Sequence, residues 1–158
     1  MRLGILSLVV AVALTAGEPV EAQDTSGPVI AAGQAVFDAM AARDTSRLRT
    51  LLHPMAHLIA TVESGDSVVV RGTSLAEFLA AIARMGEAPH ERMTRPEVKV
   101  SGAIATIWTP YDFHVGSTFS HCGVDSFQLV RTSHGWQVTS IIYTVVRPEA
   151  RCQSNPPR

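Results

Sequence analysis

Two acids and two imidazoles crowd into one short stretch of this 158-residue chain: Asp112, His114, His121 and Asp125, interleaved with Trp108, Phe119 and Phe127. Between them, Gly116-Ser117 reads as a two-residue hairpin turn. Pairing outward from it sets Val115 opposite Thr118, His114 opposite Phe119, Asp112 opposite His121 and Trp108 opposite Asp125. Facing residues of an antiparallel pair share a side of the sheet, with Cβ atoms ~4.5–5.5 Å apart. On that register Trp108, Asp112, His114, Phe119, His121, Asp125, Phe127 and Leu129 lie on one face. A turn between Arg131 and Trp136 adds Val138, Ser140 and Ile142 to it. Tyr111, Phe113, Ile141, Tyr143 and Val145 fall on the other face, an apolar surface that a second subunit would cover.

Each polar residue of the set has a chemical and a plainer reading. A carboxylate accepting from an imidazole fixes its tautomer and raises its basicity, so Asp112 and His121 form a candidate general base. The same pair is also an ordinary cross-strand ion pair in water. Asp125, set among Trp108 and Phe127, would hold its proton if buried and donate it to a ligand oxygen; bonding to backbone or to an Arg is the alternative. Asp112, His114 and His121 are also donor types that suit zinc or iron, but three ligands on two strands specify no site. The reading calls for no metal and no cofactor. Pro54 between His53 and His57 excludes a helical pair of ligands, which leaves them as surface or turn residues.

These residues need elements to hold them. Residues 30–43 read as an Ala-rich helix with Ile30, Gly33, Val36, Phe37 and Met40 at helical spacing. Asp44-Thr45-Ser46 breaks and re-caps the chain, and a short second helix carries Leu48, Leu51 and Leu52 up to His53-Pro54. Residues 57–63 and 67–71 form a hairpin. Ser74-Leu75-Ala76-Glu77 is a capping box that opens a third helix, which Gly86 closes in the left-handed conformation. A polar stretch runs to Arg95. Strands follow at 97–100, 103–115, 118–131 and 136–146. Helices, a hairpin, a helix and an antiparallel meander give an α+β domain, its helices packed on one face of a curved sheet.

Four segments in this order resemble the NTF2-like superfamily, and the small SnoaL-like and lumazine-binding-like members most closely. They are Phe37 to Asp44, Leu51-Leu52-His53-Pro54, Ser74 to Phe78, and Asp125 to Val130 with Gly135 to Val138. The resemblance spans residues 30–147. It implies a cone with about three helices on the concave side of a curved antiparallel sheet, a pocket between them, and a homodimer. In ketosteroid-isomerase members an acid on the strand of Asp125 donates to the ligand, and the base lies near Glu63. The tyrosine of those enzymes is missing here, where Val36 and Phe37 stand. Met55 replaces the acid that commonly follows His-Pro.

The N-terminus reads as an export signal: Arg2, an apolar run from Leu3 to Ala16, then Val20-Glu21-Ala22 at the cleavage offsets. The run reaches only about 21 Å as a helix, short of the ~30 Å hydrocarbon layer, so the mature chain is expected to leave the membrane. The expected division is residues 1–22 as signal, 23–29 as linker, 30–147 as domain and 148–158 as tail. Cleavage leaves basic and acidic residues equal in number, without the basic excess of a nucleic-acid binder. In an oxidising compartment Cys122 and Cys152 allow one bond, closing a loop of about 30 residues and worth ~3–4 kcal/mol; a buried free Cys122 with a loose Cys152 is the alternative. The first functional reading is an exported cone holding a small, mostly apolar molecule. Trp108, Phe119 and Phe127 would supply contact area, while Asp112, His114, His121 and Asp125 orient it. The second is a cofactor-independent isomerase, cyclase or hydratase with Asp112–His121 as base and Asp125 as acid. The third is a protein-interaction module without a ligand.

Overall fold

The computed structural model describes residues 25–64, 67–147 and 152; the expected export signal and most of the C-terminal tail lie outside them. Helix α1 spans Ser26–Ala41 and α2 spans Thr45–Leu51; strands β1 (Leu52–Ser64) and β2 (Ser67–Ser74) follow, then α3 (Leu75–Arg84). Strands β3 (Pro89–Met93), β4 (Glu97–Ser101), β5 (Ile104–Val115), β6 (Thr118–Thr132) and β7 (Gly135–Val145) come after it. The strands form one sheet in the order β2-β1-β7-β6-β5-β3, with β4 also pairing β5. It is a mixed sheet rather than the antiparallel one expected, because β1 runs parallel to β7.

Local sequence accounts for the helix ends. Asp44 accepts from the Arg47 amide at 2.9 Å and starts α2, while Ser74 and Glu77 form the reciprocal capping box of α3. α1 begins at Ser26, inside the segment read as a linker, because Pro28 fits a first helical turn, where its missing N–H has no partner to lose. Gly86 does not take the left-handed cap. α3 ends at Arg84 with an extended Met85, and the Arg43 guanidinium donates to the Met85 and Gly86 carbonyls at 2.9 and 3.2 Å.

β3 occupies the stretch read as polar loop. It pairs with residues 111–115 of β5 and β4 pairs with residues 104–108, so Pro110 falls in the gap between them. A proline is tolerated there because no strand on that side asks for its N–H; its carbonyl instead accepts from the Thr94 amide at 2.8 Å. The core fills the space between the helices and one side of the sheet, with Val36, Phe37, Leu48, Leu79, Ile107, Phe127 and Leu129 all buried. Phe37 meets Phe127 edge to face at 5.7 Å. α1 rides close on β5 at Gly33, where a Cβ would stand 2.8 Å from Ile107 Cδ1.

The turn at Gly116-Ser117 forms as expected, with Val115 opposite Thr118, His114 opposite Phe119, and Gly116 at φ 57°. The register does not carry inward. Between these pairs and Phe113 opposite His121, β6 holds one extra residue, Ser120. From there on Asp112 faces Cys122 and Trp108 faces Ser126. A one-residue bulge exchanges the two faces of β5 relative to β6. A second irregularity between Gln128 and Leu129 sets Leu129 opposite Val138 and Gln128 opposite Ser140. The helix-covered face therefore carries Ile107, Tyr111 and Phe113 with His121, Asp125, Phe127, Leu129, Val138, Ile141 and Tyr143. Trp108, Asp112, His114, Phe119, Ser140 and Ile142 lie on the outer face.

Candidate functional site

A cavity of about 190 Å³ opens between the helices and the concave side of the sheet. α1 supplies Phe37 and Met40, and α3 supplies Phe78, Ala81 and Ile82. The sheet supplies apolar Leu58, Phe113 and Ile141 and four polar groups: Glu91, His121, Asp125 and Tyr143. Glu91 comes from β3, His121 and Asp125 from β6, and Tyr143 from β7 directly opposite Asp125. One polar wall thus faces an otherwise apolar hollow.

Of the residues expected to share a site, the structure brings His121 and Asp125 together in the cavity, with Phe127 in the core beneath them. It does not bring Trp108, Asp112, His114 or Phe119 there, for the bulge at Ser120 turns them outward. Asp112 accepts from the Arg92 guanidinium at 2.5 and 3.2 Å, with the His114 ring 3.7 Å away. This is an outer-face ion pair, and Asp112 is not the partner of His121. His114 meets the Phe119 ring edge to face at 5.4 Å. The Asp112, His114 and His121 donor set is likewise split across the sheet, and among the described residues no cluster of three His, Cys, Asp or Glu is placed to hold a metal.

Sequence reasoning missed Glu91 and misplaced Phe113, Tyr111 and Tyr143. Glu91 sits in a five-residue strand opened by a proline, and its only signal is the alternation that gives Glu91 and Met93 the same side. The three aromatic residues line or support the cavity, so the outer face is not the one that they make apolar. Tyr111 crosses over Gly123 to donate to the Thr144 carbonyl at 2.7 Å. A Cβ at Gly123 would stand 2.0 Å from that same carbonyl oxygen and 2.8 Å from the Tyr111 ring, so glycine is required at this position.

Burial sets the electrostatics. Asp125 is 1% exposed, and its Oδ2 has no hydrogen-bond partner. Loss of hydration pushes its carboxyl well up, while a hydrogen bond from Glu91 opposes that shift. Glu91 is pushed up as well, by burial first and then by the charge of Asp125 and the shared hydrogen bond. Two carboxyls so placed hold at least one proton between them. Burial also raises the Tyr143 hydroxyl, with Glu91 and Asp125 adding to the effect. His121 moves the other way, down to about 4, through burial and then the nearby Arg147. Its Nδ1 lies 2.9 Å from Ser120 Oγ, and its ring stacks on Phe113 at 4.8 Å and meets Tyr111 edge to face at 5.7 Å. The wall therefore offers neutral donors and acceptors able to exchange protons with a guest.

Cys122 is bonded to Cys152 behind this wall, 30 residues apart in sequence. Among the described residues no helix is long and apolar enough to cross a membrane.

Known structures share this architecture. A "putative dehydratase" of the NTF2-like family from Streptomyces avermitilis aligns over 80% of this chain and 100% of its own, at 22% identity and a TM-score of 0.61. An NTF2-like protein from Cytophaga hutchinsonii aligns over 78% and 100%, at 12% identity and a TM-score of 0.64. A nuclear transport factor 2 (NTF2-like) superfamily protein from Salmonella enterica aligns over 78% and 94%, at 11% identity and a TM-score of 0.60. At these identities the likeness is one of fold. No curated protein matches the chain in sequence. The family model described as "Putative lumazine-binding" matches residues 25–144. With three helices laid in the cone of a curved, unclosed sheet, the chain belongs to that family and, through it, to the NTF2-like superfamily.

Proposed function

We propose that this chain is an exported protein that binds a small, mostly apolar molecule in its cone, held at one end by hydrogen bonds to Asp125, Glu91, His121 and Tyr143. The observation that carries the reading is Asp125, 1% exposed on the cavity wall, where its Oδ2 receives no N–H or hydroxyl donor. An unpaired buried carboxyl oxygen is costly, of order 1–3 kcal/mol, and a ligand polar group removes that cost. At about 190 Å³ the cavity is below the ~300–1,000 Å³ of ordinary ligand pockets, so the guest is compact. Carboxylates are poor guests, because a mostly apolar hollow strips their hydration and its lining holds no lysine or arginine to replace it. The family description adds support for a small organic ligand. Export is supported by the Cys122–Cys152 bond, which persists in oxidising compartments, and by the apolar N-terminal run. A second copy on the outer face is supported by the exposed Trp108 and Ile142 there. Native mass spectrometry of the secreted protein tests the ligand reading: a retained small molecule is expected, and it should be lost in Asp125→Ala. A wild-type chain that carries nothing, and that no panel of compact ketones, phenols or lactams stabilises against heat, would overturn it.

A second reading has its own observation. A carboxyl pair sharing a proton beside a neutral imidazole is an acid–base set, as an isomerase or hydratase needs, and one structural neighbour bears the name "putative dehydratase". On this reading Asp125 and Glu91, rather than Asp112, work with His121. It requires a pH–rate profile governed by those groups and abolished by Asp125→Asn with ligand binding retained.

A further inference from the structure

The chain beyond β7 is tied back onto β6. Val146 and Cys122 exchange backbone hydrogen bonds of 2.8 and 3.2 Å. Arg147 Nε donates to the Ser120 carbonyl at 3.2 Å, and Cys152 is covalently bonded to Cys122. These ties converge on the one place where β6 absorbs an extra residue. The Gly116-Ser117 turn dictates Val115 opposite Thr118 and His114 opposite Phe119, while the sheet interior dictates Asp112 opposite Cys122, which leaves Phe113 alone to face the two residues Ser120 and His121. Something between Phe119 and Cys122 must be left over. With Ser120 left over, His121 faces the cavity; with His121 left over, its ring leaves the Phe113 face. Bulge positions one residue apart differ little in ladder hydrogen bonds, so contacts outside the β5–β6 pair decide between them.

We propose that the C-terminal strap, Arg147 together with the Cys122–Cys152 bond, is a positioning device that pins the β6 bulge at Ser120 and thereby keeps the His121 ring inside the cavity. The bond holds Cys122 in its paired position from the outer side, and Arg147 holds the carbonyl of the leftover residue. The inference goes beyond the proposed function and needs no ligand. Opening the bond takes a dithiol. Its thiolate attacks one sulfur, its second thiol resolves the mixed disulfide, and two electrons and two protons pass to Cys122 and Cys152 as the dithiol becomes a disulfide. The groups facing His121 are Tyr111 and Phe113 from β5, Ser120 and Asp125 from β6, Glu91 from β3, Tyr143 from β7 and Arg147 from the strap. α1 and α3 bring only apolar side chains to the cavity. A ring released from this setting regains water and titrates higher.

Proton NMR of the ligand-free chain reads both consequences. In the oxidised protein the His121 ring should show cross-peaks to the Phe113 and Tyr111 rings and titrate well below its ordinary range. After dithiothreitol reduction, or in Cys152→Ala, those cross-peaks should fall several-fold and the titration should rise by roughly one pH unit or more as hydration returns. The Phe37–Phe127 cross-peaks report the core and should persist. Unchanged His121 cross-peaks and titration in the reduced chain and in Cys152→Ala would overturn the proposal. Should opening the bond also erase the Phe37–Phe127 contact, Arg147→Gln with the bond intact decides: weakened His121–Phe113 cross-peaks support the strap, and unchanged ones overturn it. A chain that failed to bind any ligand would leave these readouts untouched, so the two proposals fail separately.

Discussion

Burial acts on Asp125 and His121 in opposite directions because it favours the neutral form of each. The Asp125 carboxyl rises from its ordinary 3.8 and the His121 imidazole falls from 6.5 to about 4. Linkage turns each shift into a pH dependence of stability. The unfolded chain ionises Asp125 before the folded one does, so the contribution of Asp125 is whole below its ordinary value and is lost as pH rises through the folded one. The unfolded chain protonates His121 first, so its contribution is whole above about 6.5 and lost as pH falls toward 4. Asp125→Asn keeps the shape and removes the ionisation. Denaturant unfolding at a series of pH values should show wild type losing stability toward the alkaline side relative to this variant; parallel curves would mean that Asp125 is not shielded from water. Glu91→Gln should flatten the same limb, since the two acids share a hydrogen bond. His121→Gln should flatten the acid limb between pH 6.5 and 4 instead, and the comparison of slopes is unaffected by the lost Phe113 stacking.

At the scale of elements, what the sequence made legible is what short-range chemistry decides. The capping box at Ser74 and the Asp44 cap follow from side chains bonding amides three residues away, and both formed. Ser74→Ala should therefore cost about 1 kcal/mol, read as a shift of the denaturation midpoint with unchanged slope. The turn at Gly116-Ser117 was equally local and equally clear. The face assignment was not, because it rests on a count of residues along two strands, and one leftover serine changes its parity. His121 and Asp125 survived that error because they share their parity along β6 with Phe127 and Leu129, which burial anchors. Asp112 and Trp108 did not, being assigned through the turn alone. β3 was illegible for another reason: Pro89-His90-Glu91-Arg92-Met93 has no β-branched residue, and it becomes a strand because β5 offers it a free edge. With it went Glu91. Gly123 shows the same dependence on distant contacts. Nothing local demands a glycine in β6, yet Gly123→Ala drives a methyl into the Thr144 carbonyl and the Tyr111 ring. A destabilisation of about 1–3 kcal/mol is expected, with weaker ligand retention as Tyr111 shifts.

At the scale of the whole molecule, the outer face of the sheet poses the remaining physical problem. Ile59 pairs with Ile142, Ile142 with Ser126, and Ser126 with Trp108, so one row of side chains crosses four strands on the side away from the described helices. Trp108 is 46% exposed and Ile142 42%, with Val70 at 63% toward the edge strand. A monomer that leaves Trp108 and Ile142 in water on one face invites association. A strip lying near the middle of a sheet suits a two-fold contact, in which the same row meets its own copy and the association closes at two chains. Tryptophan is the residue type that most often dominates the energetics of such a patch. Trp108→Arg places a charge there without touching the cavity, because the ring lies on the face opposite Asp125. Sedimentation velocity across a range of concentrations should show wild type as a dimer and Trp108→Arg as a monomer, with the thermal midpoint and any retained ligand of the variant close to wild type. A wild-type chain that sediments as a monomer at every concentration would remove the second copy, and the apolar row would then have to be covered by something other than this chain.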